Sequence, residues 1–373
     1  MNPLFTPVSL GKLELSNRVV MAPLTRARAS EAHVAGPLMA KYYAQRASAG
    51  LIVSEATAVD PLGMGWYRAP GIWSDEMVAG WQLTTDAVHA AGGRIVAQLW
   101  HMGRLVLPDY IGGQQPIGPS PLASEGETFA PRPAGDTSKF LPMKPYVVPR
   151  EMNQGDIDHL VAAYGRGAAN AMAAGFDGVE VHGANGYIID QFLKSSSNRR
   201  QDGYGGSLDN RLRLLREILG AVAGSVEPGR IGLRISPTSA RKGMGDDDPG
   251  ALAEAVGKLC QDAGLAYIHL IEPVAAGFMD MPDDPVMGRL RSAYTGAVIQ
   301  NGGFDAETAS ACIAAGEADA ISFGRPFIAN PDLVRRMAEG LPRAEADMDY
   351  AYVGDGTGYS DYPAVGEKAE AAG

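Results

Sequence analysis

Residues 178–194 read Gly-Val-Glu-Val-His-Gly-Ala-Asn-Gly-Tyr-Ile-Ile-Asp-Gln-Phe-Leu-Lys, and three polar side chains of complementary chemistry, His182, Asn185 and Tyr187, fall within six positions of one another. A neutral imidazole N–H and an amide NH2 are both donors, and a phenol is a donor that ionises only near pH 10. Two donors aimed at one oxygen stabilise negative charge developing there, while a phenol close by can hand over a proton. Electrophilic activation of a carbonyl is the chemistry these types fit. Each residue also has an ordinary structural reading, His182 as a hydrogen-bonded core histidine and Asn185 as a turn residue, and the cluster needs its context before it counts.

The context is a repeating pattern. Val179, Glu180 and Val181 are strand-like, and Gly183 and Gly186 let the backbone turn where a β-branched residue could not follow. Short apolar runs of this kind recur at residues 18–22, 51–54, 94–100, 178–181, 231–235, 266–270, 297–300 and 318–322. Helix-length periodic stretches separate them at 37–48, 75–91, 154–174, 207–223, 249–263 and 306–315, with another at 331–339. Such alternation builds βαβ units and a parallel sheet. Eight strands favour closure into a single (β/α)8 TIM barrel over an open doubly wound sheet. Residues 4–17 alternate around Leu10-Gly11-Lys12 as an N-terminal β-hairpin that plugs one end of the barrel. The link 272–293, rich in Pro, Asp and Gly, leaves room for only a short helix between strands six and seven. Residues 105–150 form an excursion after strand three, long enough to be a lid, and the last residues, about 364–373, form a flexible tail. The whole chain, 1–373, is thus predicted to be one domain.

Barrels of this kind assemble their chemistry from the C-terminal ends of several strands. The predicted ends present Pro23, Leu24 and Thr25 after strand one and Ala56 after strand two; Gln98 and Trp100 belong to strand three. The opening cluster follows strand four, Arg234 lies in strand five, Gly302 and Gly303 follow strand seven, and Gly324 and Arg325 follow strand eight. Glycines there expose backbone N–H groups to a phosphate, and Arg325 supplies a cation to pair with it. Taken alone, Gly-Gly is equally a tight turn, Arg234 a salt-bridge partner in the barrel mouth and Gln98 a residue that satisfies backbone groups.

Seven blocks distributed over nearly the whole chain carry a more specific signal: APLTR (22–26), SEAT (54–57), VAQLWHMGR (96–104), HGANGYIIDQFL (182–193), NRR with DGYGGSLDNR (198–211), FGRPFIANPDL (323–333) and GYSDYP (358–363). In this order they resemble the old yellow enzyme family of FMN-dependent ene-reductases, including its N-ethylmaleimide reductases. The resemblance implies non-covalent FMN, with Pro23, Leu24, Thr25, Ala56, Gln98, His182 and Arg234 towards the isoalloxazine ring and Gly302, Gly303, Gly324 and Arg325 around the phosphate. Thr25 and Arg234 would then stabilise the negative charge that the cofactor gains on reduction. It implies an NAD(P)H-dependent ping-pong reduction of activated alkenes, enones, maleimides and nitroalkenes. His182 and Asn185 would hold the substrate oxygen and Tyr187 would protonate carbon. Trp66, Trp100 and Tyr352 would wall the pocket beside that trio. Trp66 stands where relatives often carry tyrosine, and Asn185 where the family uses either His or Asn; both of the latter donate. A related alternative is an FMN barrel acting mainly on nitro compounds or nitrate esters.

Composition narrows the field. A formal net charge of −11 works against nucleic-acid binding, which needs a basic face. No apolar run approaches a membrane span and residues 1–10 lack the features of a signal peptide, so a cytoplasmic protein, monomeric or homodimeric, is expected. Cys260 and Cys312 fall in helical patterns far apart, which offers neither a disulfide framework nor an iron–sulfur site, and they read as buried small hydrophobes. That disfavours a dienoyl-CoA-reductase-like enzyme. A metal-dependent barrel hydrolase built on Glu180, His182, His269 and Glu272 is the competing class. It lacks a His-x-His pair or a His-Glu-x-x-His helix, and no metal is expected.

Overall fold

The computed structural model describes residues 2–133, 140–274 and 281–367. Eight parallel strands close into a barrel: β1 (Val19–Met21), β2 (Leu51–Ala58), β3 (Ile95–Trp100), β4 (Gly178–Gly183), β5 (Ile231–Ile235), β6 (Tyr267–Ile271), β7 (Ala297–Asn301) and β8 (Ala320–Phe323). Closure is made by β8 on β1, in the register Ile321–Val19, Ser322–Val20 and Phe323–Met21. β2 to β6 are buried at every position, as strands are when helices cover one face and the barrel interior the other.

The helices are α1 (Pro37–Ala44), α2 (Asp75–Ala90), α3 (Gln154–Ala173), α4 (Ile188–Leu193), α5 (Leu208–Ala223), α6 (Pro249–Ala263), α7 (Met287–Ala293), α8 (Ala306–Ala314), α9 (Arg325–Ala329) and α10 (Leu333–Glu339). Their starts are written in the sequence. Ser74 and Ser207 cap α2 and α5, and Asp248 caps α6 ahead of Pro249 at the first helical position. Asn153 with Asp156, and Asp305 with Thr308, close reciprocal capping boxes on α3 and α8. These caps satisfy donors that a helix N-terminus otherwise leaves open.

The hairpin Val8–Leu10 with Leu13–Leu15 lies across the N-terminal end of the barrel. Its leucines 10, 13 and 15 bury against Val20, Leu51, Val53, Val96 and Tyr267, the lower layer of the interior. Gly11 is required at its tip. The backbone there has φ 59, and a Cβ would approach the Gly229 carbonyl to 2.5 Å.

Several bounds depart from the sequence reading. β2 continues to Ala58, past the apolar run, because Ser54, Glu55 and Thr57 are all buried and the pairing with β3 shifts between Val53 and Ala56. α1 ends at Ala44, four residues early. The link to β7 holds the short helix α7, with residues 275–280 outside the described part. α4 and α9 are short helices that periodicity does not announce. The excursion carries two small two-stranded sheets, Ile117–Gly118 with Arg150–Glu151 and Glu127–Phe129 with Met143–Pro145. Residues 134–139 of the excursion and 368–373 of the tail lie outside the described residues. No helix among the described residues is long and apolar enough to cross a membrane.

Candidate active site

At the C-terminal mouth of the barrel a cavity of about 820 Å³ opens among the strand ends. Its walls include Pro23, Leu24 and Thr25 after β1, Asn185 and Tyr187 after β4, Arg234 of β5, Asn301 of β7, and Gly324 and Arg325 after β8. Trp66 and Tyr352 stand at its rim. Ala56, Gln98, His182, Trp100, Gly302 and Gly303 do not line it; His182 and Trp100 pack against Tyr187, which does.

The loop after β4 is held from below. Asn185 (φ 60) and Gly186 (φ 79) occupy the two central positions of a turn that the Tyr187 N–H closes on the Ala184 carbonyl at 3.3 Å. The Asn185 N–H donates to Ser236 Oγ at 2.9 Å and the Gly186 N–H to Asp190 Oδ2 at 2.8 Å. Gln191 Nε2 donates to the carbonyls of Gly186 (2.7 Å) and Met102 (2.9 Å). The buried Lys194 ammonium binds the Ser236 and Ser239 carbonyls at 2.9 and 2.6 Å. α4 is therefore the bracket that fixes the loop, which leaves the Asn185 and Tyr187 side chains for the cavity.

His182 is 3% exposed, and its Nδ1 has no hydrogen-bond partner among the described residues. Burial, then the positive charge of Arg234, push its pKa well down, so the ring is neutral and keeps one N–H to donate. It meets the Tyr187 ring edge-on at 5.0 Å, and Tyr187 meets Trp100 edge-on at 5.2 Å. Burial pushes the Tyr187 phenol up, which keeps it protonated as a donor must be.

Beneath the mouth runs a fully buried polar chain. Gln98 Nε2 donates to Glu180 Oε1 at 2.8 Å, and the Tyr267 hydroxyl donates to Glu180 Oε2 at 3.1 Å. His269 spans Glu180 Oε2 and Ser322 Oγ, both at 2.8 Å. Burial would raise the Glu180 carboxyl, but His269, Arg234 and the hydrogen bonds of His269 and Gln98 outweigh it and hold it low. Burial lowers His269 as well. An ionised carboxylate only accepts, so His269 carries its proton on Nδ1 and accepts from Ser322. The same carboxylate fixes the Gln98 amide with its NH2 inward. Glu180 and His269, on which the metal-hydrolase alternative depends, thus bind each other. Among the described residues no group of three or more His, Cys, Asp or Glu could hold a metal ion.

Arg234 donates to Asn301 Oδ1 at 3.2 Å, and its Nε has no partner among the described residues. Burial lowers it to about 10, with Glu180 opposing, so it stays cationic. Arg325 is exposed on the cavity wall at the start of α9. Gly302 is glycine for a reason other than a ligand: a Cβ there would lie 1.9 Å from the Glu272 carbonyl of the neighbouring strand end. Gly303 has φ 91, beyond the reach of most side chains.

The rim is an aromatic triangle. Trp66 lies 5.2 Å from Phe129 and 5.4 Å from Tyr352, and Phe129 lies 5.6 Å from Tyr352. Phe129 comes from the excursion and escaped the sequence reading. So did Arg241 and Lys242, which line the cavity after β5, opposite Glu125 and Glu127. A basic pair in the loop that follows a strand end, in an acidic chain, was the available signal for them.

The model of the NADH:flavin oxidoreductase / NADH oxidase family matches residues 3–344. The chain is 40% identical to putative 12-oxophytodienoate reductase 4 of Oryza sativa subsp. japonica, over 99% of this chain and 95% of that protein. It is 41% identical to a probable flavin mononucleotide-dependent alkene reductase of Leishmania infantum, over 96% of each. Morphinone reductase in complex with tetrahydroNAD superposes with a TM-score of 0.91 at 43% identity, covering 97% of both chains. The old yellow enzyme homologue from Zymomonas mobilis superposes with 0.91 at 42% identity, covering 96% of this chain and 99% of that one.

Proposed function

The chain belongs to the NADH:flavin oxidoreductase / NADH oxidase family, of the old yellow enzyme type, and from that premise we propose that it is an FMN-dependent NAD(P)H:alkene oxidoreductase working by a ping-pong cycle. The observation that carries this is the convergence of Thr25, Asn185, Tyr187, Arg234 and Arg325 from four strand ends on one cavity. The residues fit the cofactor. About 820 Å³ lies within the usual range for ligand sites, and His182 Nδ1 and Arg234 Nε are buried polar atoms still in need of partners. Arg325 makes no ion pair among the described residues and can meet a phosphate beside Gly303 and Gly324. Pro23, Leu24, Thr25, Ala56, Gln98 and Arg234 would hold the ring. Bound FMN supplies the hydride chemistry, accepting from a reduced nicotinamide and delivering to the β-carbon of the alkene.

The chain's own residues do the rest. His182 and Asn185 donate to the carbonyl or nitro oxygen, where charge develops as the β-carbon is reduced. Tyr187, protonated at any physiological pH, gives its proton to the α-carbon. Trp66 and Tyr352 wall the substrate in, and Trp100 backs the wall through Tyr187. Morphinone reductase binds a reduced dinucleotide analogue, which supports a nicotinamide as reductant here, NADPH or NADH. The test is to reduce the purified protein anaerobically with each nicotinamide and mix it with N-ethylmaleimide or 2-cyclohexenone. Flavin absorbance should return as the saturated product forms, and acid precipitation should release FMN into the supernatant. Absence of FMN, or indifference to every activated alkene, refutes the reading.

A further inference from the structure

Five cations line the cavity, Arg26, Arg234, Arg241, Lys242 and Arg325, and they are not equivalent: Arg26 is taken up by the carbonyls of Ala351 and Gly358. Arg234 is engaged by Asn301, Arg325 stands at the expected phosphate, and Arg241 is exposed. Lys242 points inward: its ammonium lies 5.2 Å from the centroid of the Tyr187 ring. Its backbone is left-handed (φ 62, ψ 33), an uncommon conformation for lysine. The surroundings impose it, because the Lys242 carbonyl accepts from Ser124 Oγ at 3.0 Å and from Arg104 Nη2 at 3.4 Å. No described carboxylate pairs with the ammonium. Glu125, packed on Gly243, and Glu127 are exposed at the rim.

Resting on the ene-reductase reading of the same site, we propose that the cavity prefers activated alkenes carrying a carboxylate or similar anionic group, and that Lys242 recognises that group. An inward ammonium without a counter-anion is unfavourable, and burial followed by Arg241 lowers this one to about 8. A negative charge brought by the ligand removes that penalty. In a chain of net charge −11 an anionic substrate also needs a local cation to be held at all. The anion belongs to the alkene rather than to the dinucleotide. The reacting end of a dihydronicotinamide is an uncharged carboxamide ring with its phosphates a ribose away, whereas Lys242 overlies the phenol that meets the alkene.

The test compares N-ethylmaleimide with 3-maleimidopropionate, which share the reacting alkene and both carbonyls and differ in one carboxylate. At pH 7 kcat/KM should favour the acid by about tenfold, the scale of one charge-assisted contact. Lys242→Met should abolish the preference and Lys242→Arg should retain part of it. The wild-type preference should fade as pH rises through about 8, while the Met variant stays flat. The groups facing Lys242 are the Tyr187 phenol, His182, Arg234, Arg241 and, past Gly243, Glu125. Tyr187 is pushed up, Arg234 is held at about 10 and His182 is held low, so these three keep their charge across that window. Calorimetric titration of the oxidised holoenzyme with 4-hydroxybenzoate and 4-hydroxybenzamide reads the same preference without turnover. If neither maleimide reacts, the ene-reductase reading fails while the titration still decides this one. Equal ratios in wild type and Lys242→Met overturn the proposal. So does a variant that slows only reduction by NADH, which would assign the cation to the dinucleotide.

Discussion

Tyr187 is held between two rings, His182 on one edge and Trp100 on the other, and its hydroxyl makes no hydrogen bond among the described residues. That arrangement suits a proton donor whose partner arrives with the substrate. Tyr187→Phe should leave reduction by nicotinamide near the wild-type rate and slow reoxidation by 2-cyclohexenone about a hundred- to ten-thousand-fold. Nitroalkenes should suffer less, since a nitronate can take its proton from water. Stopped-flow absorbance separates the half-reactions, and if both fall together the phenol is a packing residue. His182→Ala should instead weaken a para-substituted phenol ligand and slow alkene reduction by roughly 3–4 kcal/mol of barrier. An unchanged phenol dissociation constant would mean the oxygen is held elsewhere. Much of this was legible, because a polar trio spaced across Asn-Gly reads as a turn that gathers side chains. The second Gly of Asn301-Gly302-Gly303 fits a phosphate turn, but Gly302 answers to a backbone contact with Glu272 that no spacing reveals. Lys242 was hidden for a related reason: its inward direction follows from a strained loop conformation imposed by Ser124 and Arg104, residues more than a hundred positions away.

Among the elements, β2 shows where sequence patterns stop informing. Its apolar run ends at Val53, yet the strand continues because Ser54 and Glu55 find partners on neighbouring elements of the closed barrel, while the Thr57 hydroxyl donates to the Glu55 carbonyl of its own strand at 2.9 Å. Gln98 N–H donates to Ser54 Oγ at 3.0 Å, and the Glu55 N–H donates to the Tyr43 hydroxyl at 2.8 Å. The Glu55 carboxylate accepts from the Arg26 N–H at 3.2 Å and from Tyr43 at 3.3 Å. Burial nevertheless raises it from 4.5 to about 7, with those bonds and the Arg26 charge opposing. A carboxyl raised on folding gives its full stability below its unfolded value and loses it as pH climbs through the folded one. Stability from Glu55 should therefore decline between about pH 4.5 and 7, by about 3 kcal/mol in all. Glu55→Gln keeps the shape and cannot ionise. Relative to wild type it should gain stability at pH 8 over pH 5 in urea unfolding, and a difference that is independent of pH would place the ionisation elsewhere.

At the scale of the whole molecule, the two ends of the chain are joined over the barrel mouth. Arg26 and Arg28, just past β1, and Arg46, just past α1, are buried arginines set around Tyr42 and Tyr359, whose rings stack at 4.0 Å. Their guanidiniums bind mainly backbone carbonyls rather than carboxylates. Arg26 donates to Ala351 and Gly358 at 3.0 and 2.7 Å. Arg28 donates to Tyr350, Ala351 and Thr357 at 2.8, 3.1 and 3.2 Å. Arg46 reaches Phe327 and Ile328, both at 2.9 Å. Carbonyls belong to every residue, so the sequence of the tied segment gives no sign of the tie, and GYSDYP reads from sequence only as a motif near a tail. The tie is what delivers Tyr352 to the rim beside Trp66. Burial, then repulsion from Arg26, lower Arg28 to about 10, which leaves it charged at neutral pH and dependent on those carbonyl dipoles. Arg28→Met should leave the far-ultraviolet circular dichroism of the barrel intact while removing the donor to the Thr357 carbonyl, an unpaired buried group costing about 1–3 kcal/mol, whereas the Ala351 carbonyl keeps its bond from Arg26. Amide hydrogen exchange in residues 350–359 should then accelerate by orders of magnitude relative to β4 and β5, and KM for the alkene should rise about tenfold as the aromatic rim loosens. Unchanged exchange in that segment would show that packing around Tyr359 holds it without Arg28, and an unchanged KM would remove Tyr352 from the substrate wall.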